Sequence, residues 1–315
     1  MKRREFISLV GVAVVMVPSM ARAEQAAKLP TIGFFGPARS APSFEQRLRE
    51  LGWIAGQTVA IEYRSAEGRT ERFTEIATEF VRLKVNVIVT VGASPTLAVK
   101  HATSLVPIVF VSGDPVGSGL VASLARPDGN ATGLALNPIG LAGKRLDLLR
   151  EVVPGFRRLA VMVNANSPRF QSRMDEIQAT ASTLGLEATI LEIRRAEDAA
   201  PAFEAIKGRA DALYVVGVPL SFAIATRALA GRIPTIFEVR DFVDAGGLMS
   251  YGANMTELLR LTANFVDKIL RGAKPADLPV QQPTKFDLVI NLKTAKALGL
   301  KIPESFLVHA DEVVE

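Results

Sequence analysis

The stretch IVTVGASPTLAVKHA, residues 88–102, predicts a buried strand that continues into a helix through a turn of small residues. The first half is apolar and β-branched, and the second half is rich in helix formers. Gly92 to Thr96 form the turn between them. A strand that leads into a helix through a short turn is the building unit of parallel sheets.

The same unit recurs in both halves of the chain. In the first half, apolar runs at 31–35, 58–63, 86–91 and 107–111 predict strands, and Phe73, Ile76, Phe80 and Leu83 share one helical face. After Pro154 the pattern restarts, with predicted strands at 159–163, 188–193, 212–216 and 234–237 and a helical stripe of Met174, Ile177, Ala181 and Leu184. We therefore expect an α/β protein with two Rossmann-like lobes, each with a parallel sheet.

The last part of the chain is too short to form a third domain. A strand at 247–251, a helix at 256–270 and a strand at 286–290 instead complete both lobes. The expected N-terminal lobe is 29–137 plus 246–276, and the expected C-terminal lobe is 138–240 plus 282–315. The chain then crosses between lobes near 136–140, 240–246 and 275–283, which makes a three-crossover hinge.

Residues 1–23 have the features of a cleavable signal peptide. A basic head with Arg3 and Arg4 precedes an apolar run at 6–17, and Ala21 to Ala23 form a small-x-small cleavage site. The arginine pair is typical of twin-arginine export, although such pairs also occur in general secretory signals. We therefore expect a periplasmic, soluble mature protein.

Composition excludes several classes of function. The chain has no cysteine and two histidines, His101 and His309, so thiol chemistry and a zinc site have too few ligands. Most of the excess positive charge lies in the signal, which argues against nucleic-acid binding. The glycines at 113, 117 and 119 lack the spacing of a dinucleotide loop. We expect neither an enzyme nor a cofactor or metal site.

The turn at residues 92–96 lies where ligands collect in open α/β sheets, beyond the carboxyl ends of the strands. Ser94 is a favoured N-cap and Pro95 suits the first helical position. Backbone N–H groups around Ser94, Thr96 and Leu97 would then face a ligand carboxylate, and small residues such as Ala93 would allow the ligand to approach closely. The alternative is that Ser94 only caps its own helix.

The next strand end carries Ser112 and Asp114. Asp114 would either receive a ligand ammonium group or cap the helix that starts at Pro115. If the first turn binds a carboxylate and Asp114 binds an amine, the two together describe an amino acid.

The second half has polar residues at the matching places. Asn164 and Ser167 follow a predicted strand, with the helix N-cap at Asn166 or Ser167. Phe237 and Glu238 end a later strand, and Tyr251 ends a strand that would return to the first lobe. The two aromatic residues would either stack on the ligand or pack in the core and hinge.

Four stretches resemble the substrate-binding proteins of ABC transporters of the tryptophan/tyrosine-binding type. They are ELGWIAGQTVAIEYRSAEGR (50–69), VPIVFVSGDPVGSGLVASLARPDGNATG (106–133), AGGLMSYG (245–252) and KPADLPVQQPTKFDLVINLKTAKALGL (274–300). The resemblance implies the type I periplasmic binding protein fold with a ligand in the interlobe cleft. It also implies an aromatic or related amino acid as ligand.

Two segments depart from the family pattern. Residues 35–44, which include Gly36 and Pro37, look shorter than the family loop that borders the cleft. Residues 215–234 also look short, with Val218 where the family often has an aspartate. Without that aspartate, one contact to a ligand amine would be lost. Asp114 or Glu238 would then have to supply this contact.

The sequence thus predicts a mostly monomeric periplasmic binding protein. It would close on a small carboxylate-bearing ligand, an aromatic or branched amino acid, and deliver it to an inner-membrane ABC permease. The alternatives are a sensing module for a signalling receptor and a binding-deficient paralogue.

Overall fold

The computed structural model describes residues 29–37, 41–67, 69–136, 140–167, 169–218 and 221–315, which form two α/β lobes. No helix within these ranges is both long and apolar enough to cross a membrane. The expected signal peptide lies outside the described residues. So do 38–40 and 219–220, which belong to the two segments that look short.

The strands are β1 (Thr31–Phe35), β2 (Ala60–Arg64), β3 (Val87–Val91), β4 (Ile108–Ser112), β5 (Ala131–Ala135), β6 (Arg158–Asn164), β7 (Glu187–Ile193), β8 (Ala212–Val216), β9 (Thr235–Phe237), β10 (Met249–Ala253), β11 (Phe286–Asn291) and β12 (Glu312–Val314). The helices are α1 (Ala41–Glu50), α2 (Arg72–Leu83), α3 (Ala93–Ala102), α4 (Leu141–Val152), α5 (Phe170–Thr183), α6 (Ala199–Ile206), α7 (Ser221–Ala230), α8 (Asp241–Asp244), α9 (Met255–Leu270), α10 (Leu292–Leu298) and α11 (Glu304–Leu307).

The first lobe has an all-parallel sheet of order β2-β1-β3-β4-β5. Side chains alternate between its two faces, as the strand period of two requires. Val87, Val89 and Val109 face α1 and α9, whereas Ile88 and Phe110 face α2 and α3. Both faces are covered by helices, which explains why these strands are continuously apolar.

The second lobe has a seven-stranded sheet of order β12-β11-β10-β9-β8-β6-β7. Val161 and Val163 of β6 face the layer of α4 and α5, and Ala160 and Met162 face the layer of α6 and α7. All pairs are parallel except β10 with β11, which run antiparallel. The prediction of two α/β lobes is confirmed, with this one antiparallel pair in place of a fully parallel sheet.

Strand β10 lies in the second lobe, which differs from the expected return to the first lobe at residue 246. It pairs with β9 and β11, and only the following helix, α9, packs on the first lobe. The second crossing therefore falls at Ala253 to Met255 rather than at 240–246. Strand β5 ends in the first lobe at Ala135 and α4 begins in the second lobe at Leu141, so the first crossing falls between these two elements. The third falls between Gln281 and Phe286.

Gly133 on β5 permits the close approach of β4, and we expect Gly133→Ala to destabilise the first lobe. A Cβ at this position would lie 2.0 Å from the carbonyl oxygen of Phe110, so the two strands would have to separate. Such overpacking costs about 1–3 kcal/mol or more of unfolding free energy. Urea denaturation measures it as a lower midpoint with an unchanged slope.

Gly143→Ala on α4 is the matched control, because the nearest atom to its Cβ is Thr180 Cγ2 at 3.9 Å. Alanine in a helix interior stabilises by roughly 0.5–1 kcal/mol over glycine. The two substitutions should therefore move the midpoint in opposite directions. An unchanged midpoint for Gly133→Ala would contradict the described packing of β5.

Candidate functional site

The carboxyl ends of four strands meet at a cavity of about 140 Å³ between the two lobes. Strands β3 and β4 contribute from the first lobe, and β6 and β8 from the second. The cavity is lined by Ala93, Gly113, Asp114, Ser118, Val163, Asn164, Ser167, Arg169, Arg173, Val216 and Gly217. We call this space the cleft cavity. It brings together four of the residues predicted from sequence: Ala93, Asp114, Asn164 and Ser167.

Two larger spaces are less suited to a ligand that joins the lobes. One of about 820 Å³ lies between α6 and α7, entirely on the second lobe. The other, of about 350 Å³, lies beside the second crossing, with walls from residues 239–241 after β9, from β10 and from the start of α9. The cleft cavity differs from both because charged side chains from the two lobes face each other across it.

An ion pair joins the lobes across the cleft cavity. Asp114 Oδ2 of the first lobe lies 3.2 Å from Arg169 Nε of the second, and the side chains are 23% and 12% exposed. The other carboxylate oxygen, Oδ1, accepts a hydrogen bond of 3.0 Å from Gly117 N–H. Residues 115–119 form a turn, not the helix that the capping alternative expected, so Asp114 stabilises a turn and also presents charge to the opposite lobe.

The turn between β3 and α3 differs in detail from the prediction. The N-cap is Gly92, with φ of 106°, rather than Ser94, so α3 begins at Ala93 and Pro95 takes the third helical position. Ala93 and Ser94 occupy the first two helical positions, where backbone N–H groups have no acceptor within the helix. Ser94 is exposed.

Thr96 points away from the cleft cavity, contrary to its predicted role. Its hydroxyl lies 2.5 Å from Gly92 O and 2.8 Å from Thr90 Oγ1, and its N–H donates to Gly92 O. The residue is fully buried. Ser112 is also fully buried, and its Oγ has no hydrogen-bond partner, although the next residue, Gly113, lines the cavity.

Asn164 and Ser167 shape the loop between β6 and α5. Asn164 Oδ1 accepts from Asn166 N–H at 3.0 Å, and Ser167 Oγ accepts from Arg169 N–H at 3.3 Å. Helix α5 begins at Phe170, which is later than the helix start expected from an N-cap at Asn166 or Ser167. These bonds fix the loop from which Arg169 reaches the first lobe.

A buried cluster of charges lies beneath the cleft cavity. The Glu238 carboxylate accepts hydrogen bonds from Arg145 Nη1 at 3.1 Å, from Arg173 Nη1, and from Gly217 N–H at 3.1 Å. Arg145 Nη1 also donates to Tyr214 Oη at 2.9 Å. We call Arg145, Arg173, Tyr214 and Glu238 the buried cluster. Of the four, only Arg173 lines the cavity.

Arg145 ties the buried cluster to the hinge. Its Nε donates to Tyr251 O on β10 at 2.7 Å, shortly before the second crossing. Its own helix, α4, begins just after the first crossing, where Glu176 Oε1 accepts from Gly140 and Ala142 N–H. Arg145 is 3% exposed, and its Nη2 is buried without a partner.

The charges of the buried cluster shift its pKa values. Burial alone raises the pKa of the Glu238 carboxyl, but Arg173 and Arg145 outweigh burial and hold this pKa below its usual value. Glu238 is therefore ionised at neutral pH. Burial raises the pKa of the Tyr214 hydroxyl to about 12, so this phenol stays neutral.

The remaining predicted residues lie outside the cleft cavity. Phe237 is fully buried in the core beside Phe242, and Tyr251 packs against Phe286 with ring centroids 6.0 Å apart. Both residues therefore agree with the alternative in which they pack in the core and the hinge instead of stacking on a ligand. Glu238 is held by two arginines and does not line the cavity. Gly36 and Pro37 follow β1, where Gly36 N–H donates to Arg64 O, and neither lines the cavity.

The sequence interpretation missed the three arginines. Arg169 and Arg173 lie four residues apart at the start of α5, where the helix dipole disfavours cations, which indicates a nearby anion. Arg145 interrupts the apolar stripe of α4 formed by Ala142, Leu148 and Leu149. An arginine in such a stripe indicates a buried ionic partner.

Two α/β lobes joined by three crossings, with a charged cavity at the strand ends between them, have the type I periplasmic binding fold. The family model described as ABC transporter substrate binding protein matches residues 39–314, so the chain belongs to that family. The resemblance seen in the sequence is thereby confirmed.

Individual relatives agree with this assignment. A tyrosine-binding protein of Clostridioides difficile (strain R20291) is 26% identical over 263 residues, which are 82% of this chain and 76% of that protein. An ABC domain from Streptococcus pneumoniae, solved in complex with L-Trp, has a TM-score of 0.81 at 22% identity and covers 91% of this chain and 100% of its own. The ligand-free, open structure of a substrate-binding protein with adhesive properties from Clostridium difficile has a TM-score of 0.70 at 24% identity, with coverage of 91% and 99%.

Proposed function

We propose that this chain is the periplasmic solute-binding component of an ABC importer and that it binds an amino acid in the cleft cavity. The observation that carries the proposal is the pair of opposite charges on opposite lobes, Asp114 and Arg169, 3.2 Å apart. A free amino acid carries the same two charges, an ammonium and a carboxylate.

The ligand would replace the direct ion pair between Asp114 and Arg169 by two ion pairs, one with each residue. Its carboxylate would take Arg169, with Arg173 and the first residue of α3, Ala93, also at the cavity, and its ammonium would take Asp114. Charge-assisted hydrogen bonds of this kind are stronger than neutral ones. The printed names of two relatives, a tyrosine-binding protein and a domain in complex with L-Trp, support an amino acid as the ligand.

The mechanism of binding would consist of the closure of the two lobes on the ligand. A ligand that contacts both lobes stabilises the closed arrangement, and the hinge at the three crossings permits opening. We further propose that the closed monomer is recognised by an inner-membrane permease and that residues 1–23 direct export to the periplasm. This follows from family membership and the signal pattern.

The proposal predicts that at least one amino acid protects the protein against heat. A ligand present at 100 times its dissociation constant stabilises the folded state by about 2.7 kcal/mol. A thermal-shift screen of the mature chain with the common amino acids and simple carboxylates, followed by calorimetric titration, measures this. If no compound in the panel raises the unfolding temperature, the proposed function is wrong.

A further inference from the structure

The two arginines that line the cleft cavity have partners in different lobes. Arg169 pairs with Asp114 of the first lobe, so this ion pair can form only while the lobes lie close together. Arg173 pairs with Glu238, which belongs to the second lobe, as Arg173 does. The bond that holds Arg173 therefore does not depend on the distance between the lobes.

Glu238 can fix Arg173 firmly because Glu238 is itself held from other directions. Its carboxylate accepts hydrogen bonds from Arg145 Nη1 and from Gly217 N–H, each at 3.1 Å. Arg173 Nη1 donates to the same oxygen, Oε1, that accepts from Arg145. The Glu238 side chain is 5% exposed, and buried hydrogen bonds of this kind are stronger than the same bonds in water. The carboxylate therefore has one well-defined position.

The support behind Glu238 reaches the regular backbone of the second sheet. Arg145 Nε donates to Tyr251 O on β10 at 2.7 Å. Gly217, the other support of Glu238, directly follows β8. A binding group that is supported from regular strands is held more precisely than one supported from a loop. Arg173 is held in this way through Glu238.

Arg173 borders the cleft cavity at the end of this chain of contacts. Its side chain is 14% exposed, and it lies four residues after Arg169. Side chains four residues apart on a helix share one face, which agrees with the place of both arginines in the cavity wall. A guanidinium is always charged, and its fork of N–H donors matches a carboxylate. One carboxylate in the cavity can therefore bind to both arginines.

We propose that Glu238 is a positioning residue, which holds Arg173 ready for the carboxylate of an amino acid before the two lobes close. Arg169 then adds a second contact to the same carboxylate on closure. The inference rests on the proposed function and gives its contacts an order, in which the second lobe binds the carboxylate first. A group that is fixed before binding loses less conformational entropy when the ligand arrives.

Calorimetric titration of two variants tests the role of Glu238. The probe is the common amino acid that binds most tightly to the wild-type chain. Arg173→Gln removes the positioned group and should weaken binding roughly 10- to 150-fold, as expected for a hydrogen bond to a charged group. Glu238→Asp keeps the negative charge but shortens the side chain by one methylene, so Arg173 loses its fixed position. It should weaken binding about tenfold, which is what supporting residues contribute in metal sites.

The double variant shows whether Glu238 acts through Arg173. With Arg173→Gln already present, Glu238→Asp should not weaken binding further, because the group that Glu238 positions is gone. Losses that multiply in the double variant would overturn the inference. An unchanged or tighter affinity of Glu238→Asp alone would also overturn it, since Glu238 would then compete with the ligand for Arg173 or have no effect on it.

Leu213→Ala is the control for loss of stability in the second lobe. Leu213 is fully buried against the layer of α6 and α7 and does not line the cavity. The variant should lower the midpoint of urea unfolding and leave the affinity unchanged. An affinity loss equal to that of Glu238→Asp would show that any destabilisation of this lobe weakens binding, and the positioning role would then be wrong.

Stopped-flow kinetics test the order of contacts without any change at Glu238. Arg173→Gln should lower the association rate constant, because the open second lobe loses its carboxylate contact. Most interface mutations change dissociation rather than association, so this result is a specific signature. Arg169→Gln should mainly raise the dissociation rate constant, because its contact forms on closure. The reverse pattern, or no difference, would overturn the inference and leave the proposed function intact. If no common amino acid binds to the wild type, the proposed function fails and the inference fails with it.

Discussion

The Glu238→Gln variant is expected to lose about 3–5 kcal/mol of its free energy of unfolding. Glutamine keeps the shape of the side chain but removes the only carboxylate that the structure shows hydrogen-bonded to both Arg145 and Arg173 in the buried cluster. The two arginines would stay largely buried and would lose the negative charge that lies between them. A change of 1 kcal/mol moves the melting temperature of a chain of this size by roughly 2 °C, so the unfolding midpoint should fall by roughly 6–10 °C.

Glu50→Gln is a closely matched control. The Glu50 carboxylate also pairs with two arginines, Arg47 and Arg260, but at the surface of the first lobe. Solvent screens exposed pairs, so this variant should unfold close to wild type. A Glu238→Gln midpoint no lower than that of Glu50→Gln would contradict the buried cluster as a source of stability.

The effect of Glu238 should also depend on pH. Its pKa in the folded protein is below the usual value, so ionisation favours the folded state. This contribution is fully present above the unfolded-state pKa of about 4.3 and is lost as the pH falls through the folded-state pKa. The difference in stability between wild type and Glu238→Gln should therefore shrink below about pH 4.

Most of the fold could be predicted from the sequence because its strands are apolar and β-branched. Strand β1 has the predicted bounds, and so does β8. The two missed strands lack this signal. Strand β5 has the sequence ATGLA, and it can pack close to β4 only because Gly133 has no side chain. Strand β12 is a short strand near the C-terminus that begins with Glu312.

The lobe to which β10 belongs could not be predicted from local pattern. Strand pairing is a contact between distant segments, and β10 reaches the second sheet by pairing with β9 and, antiparallel, with β11. The expected crossing at 240–246 ends at the first residue of the glycine pair 246–247. Gly247 instead packs against Phe237 and the carbonyl of Phe242, where a side chain would not fit.

The site could be predicted only in part, for a related reason. Turns at strand ends are visible in sequence, which is why Ala93, Asp114, Asn164 and Ser167 were placed near one another. Arginine side chains are long, so Arg169 and Arg173 reach the cavity from residues beyond the turn. Periodicity locates a backbone position but gives no direction to a flexible charged side chain.

The Arg169→Gln variant is expected to lose most of its affinity for an amino acid. Arg169 is the only described residue whose ion pair crosses the cleft cavity to the first lobe, so its loss removes both the carboxylate partner and one contact that holds the lobes together. Truncating one partner of a hydrogen-bonded charge pair costs about 2–5 kcal/mol, which is roughly 30- to 5,000-fold in affinity. Calorimetric titration measures the loss, and Arg194→Gln, which removes a surface partner of Glu192 in the same lobe, is the control.

The Asp114→Asn variant tests the contact to the ligand's ammonium separately from the contact to its carboxylate. If Asp114 receives the ammonium, Asp114→Asn should weaken an amino acid strongly but leave a carboxylic acid of the same size without the amine nearly unaffected. Arg169→Gln should weaken both compounds, because each carries the carboxylate. Asparagine can still accept the hydrogen bond of Gly117 N–H through its side-chain oxygen, so the turn that Asp114 stabilises is preserved. An equal loss for both compounds in Asp114→Asn would show that this residue acts only by pairing with Arg169 across the lobes, and the assignment of the ammonium to Asp114 would then be wrong.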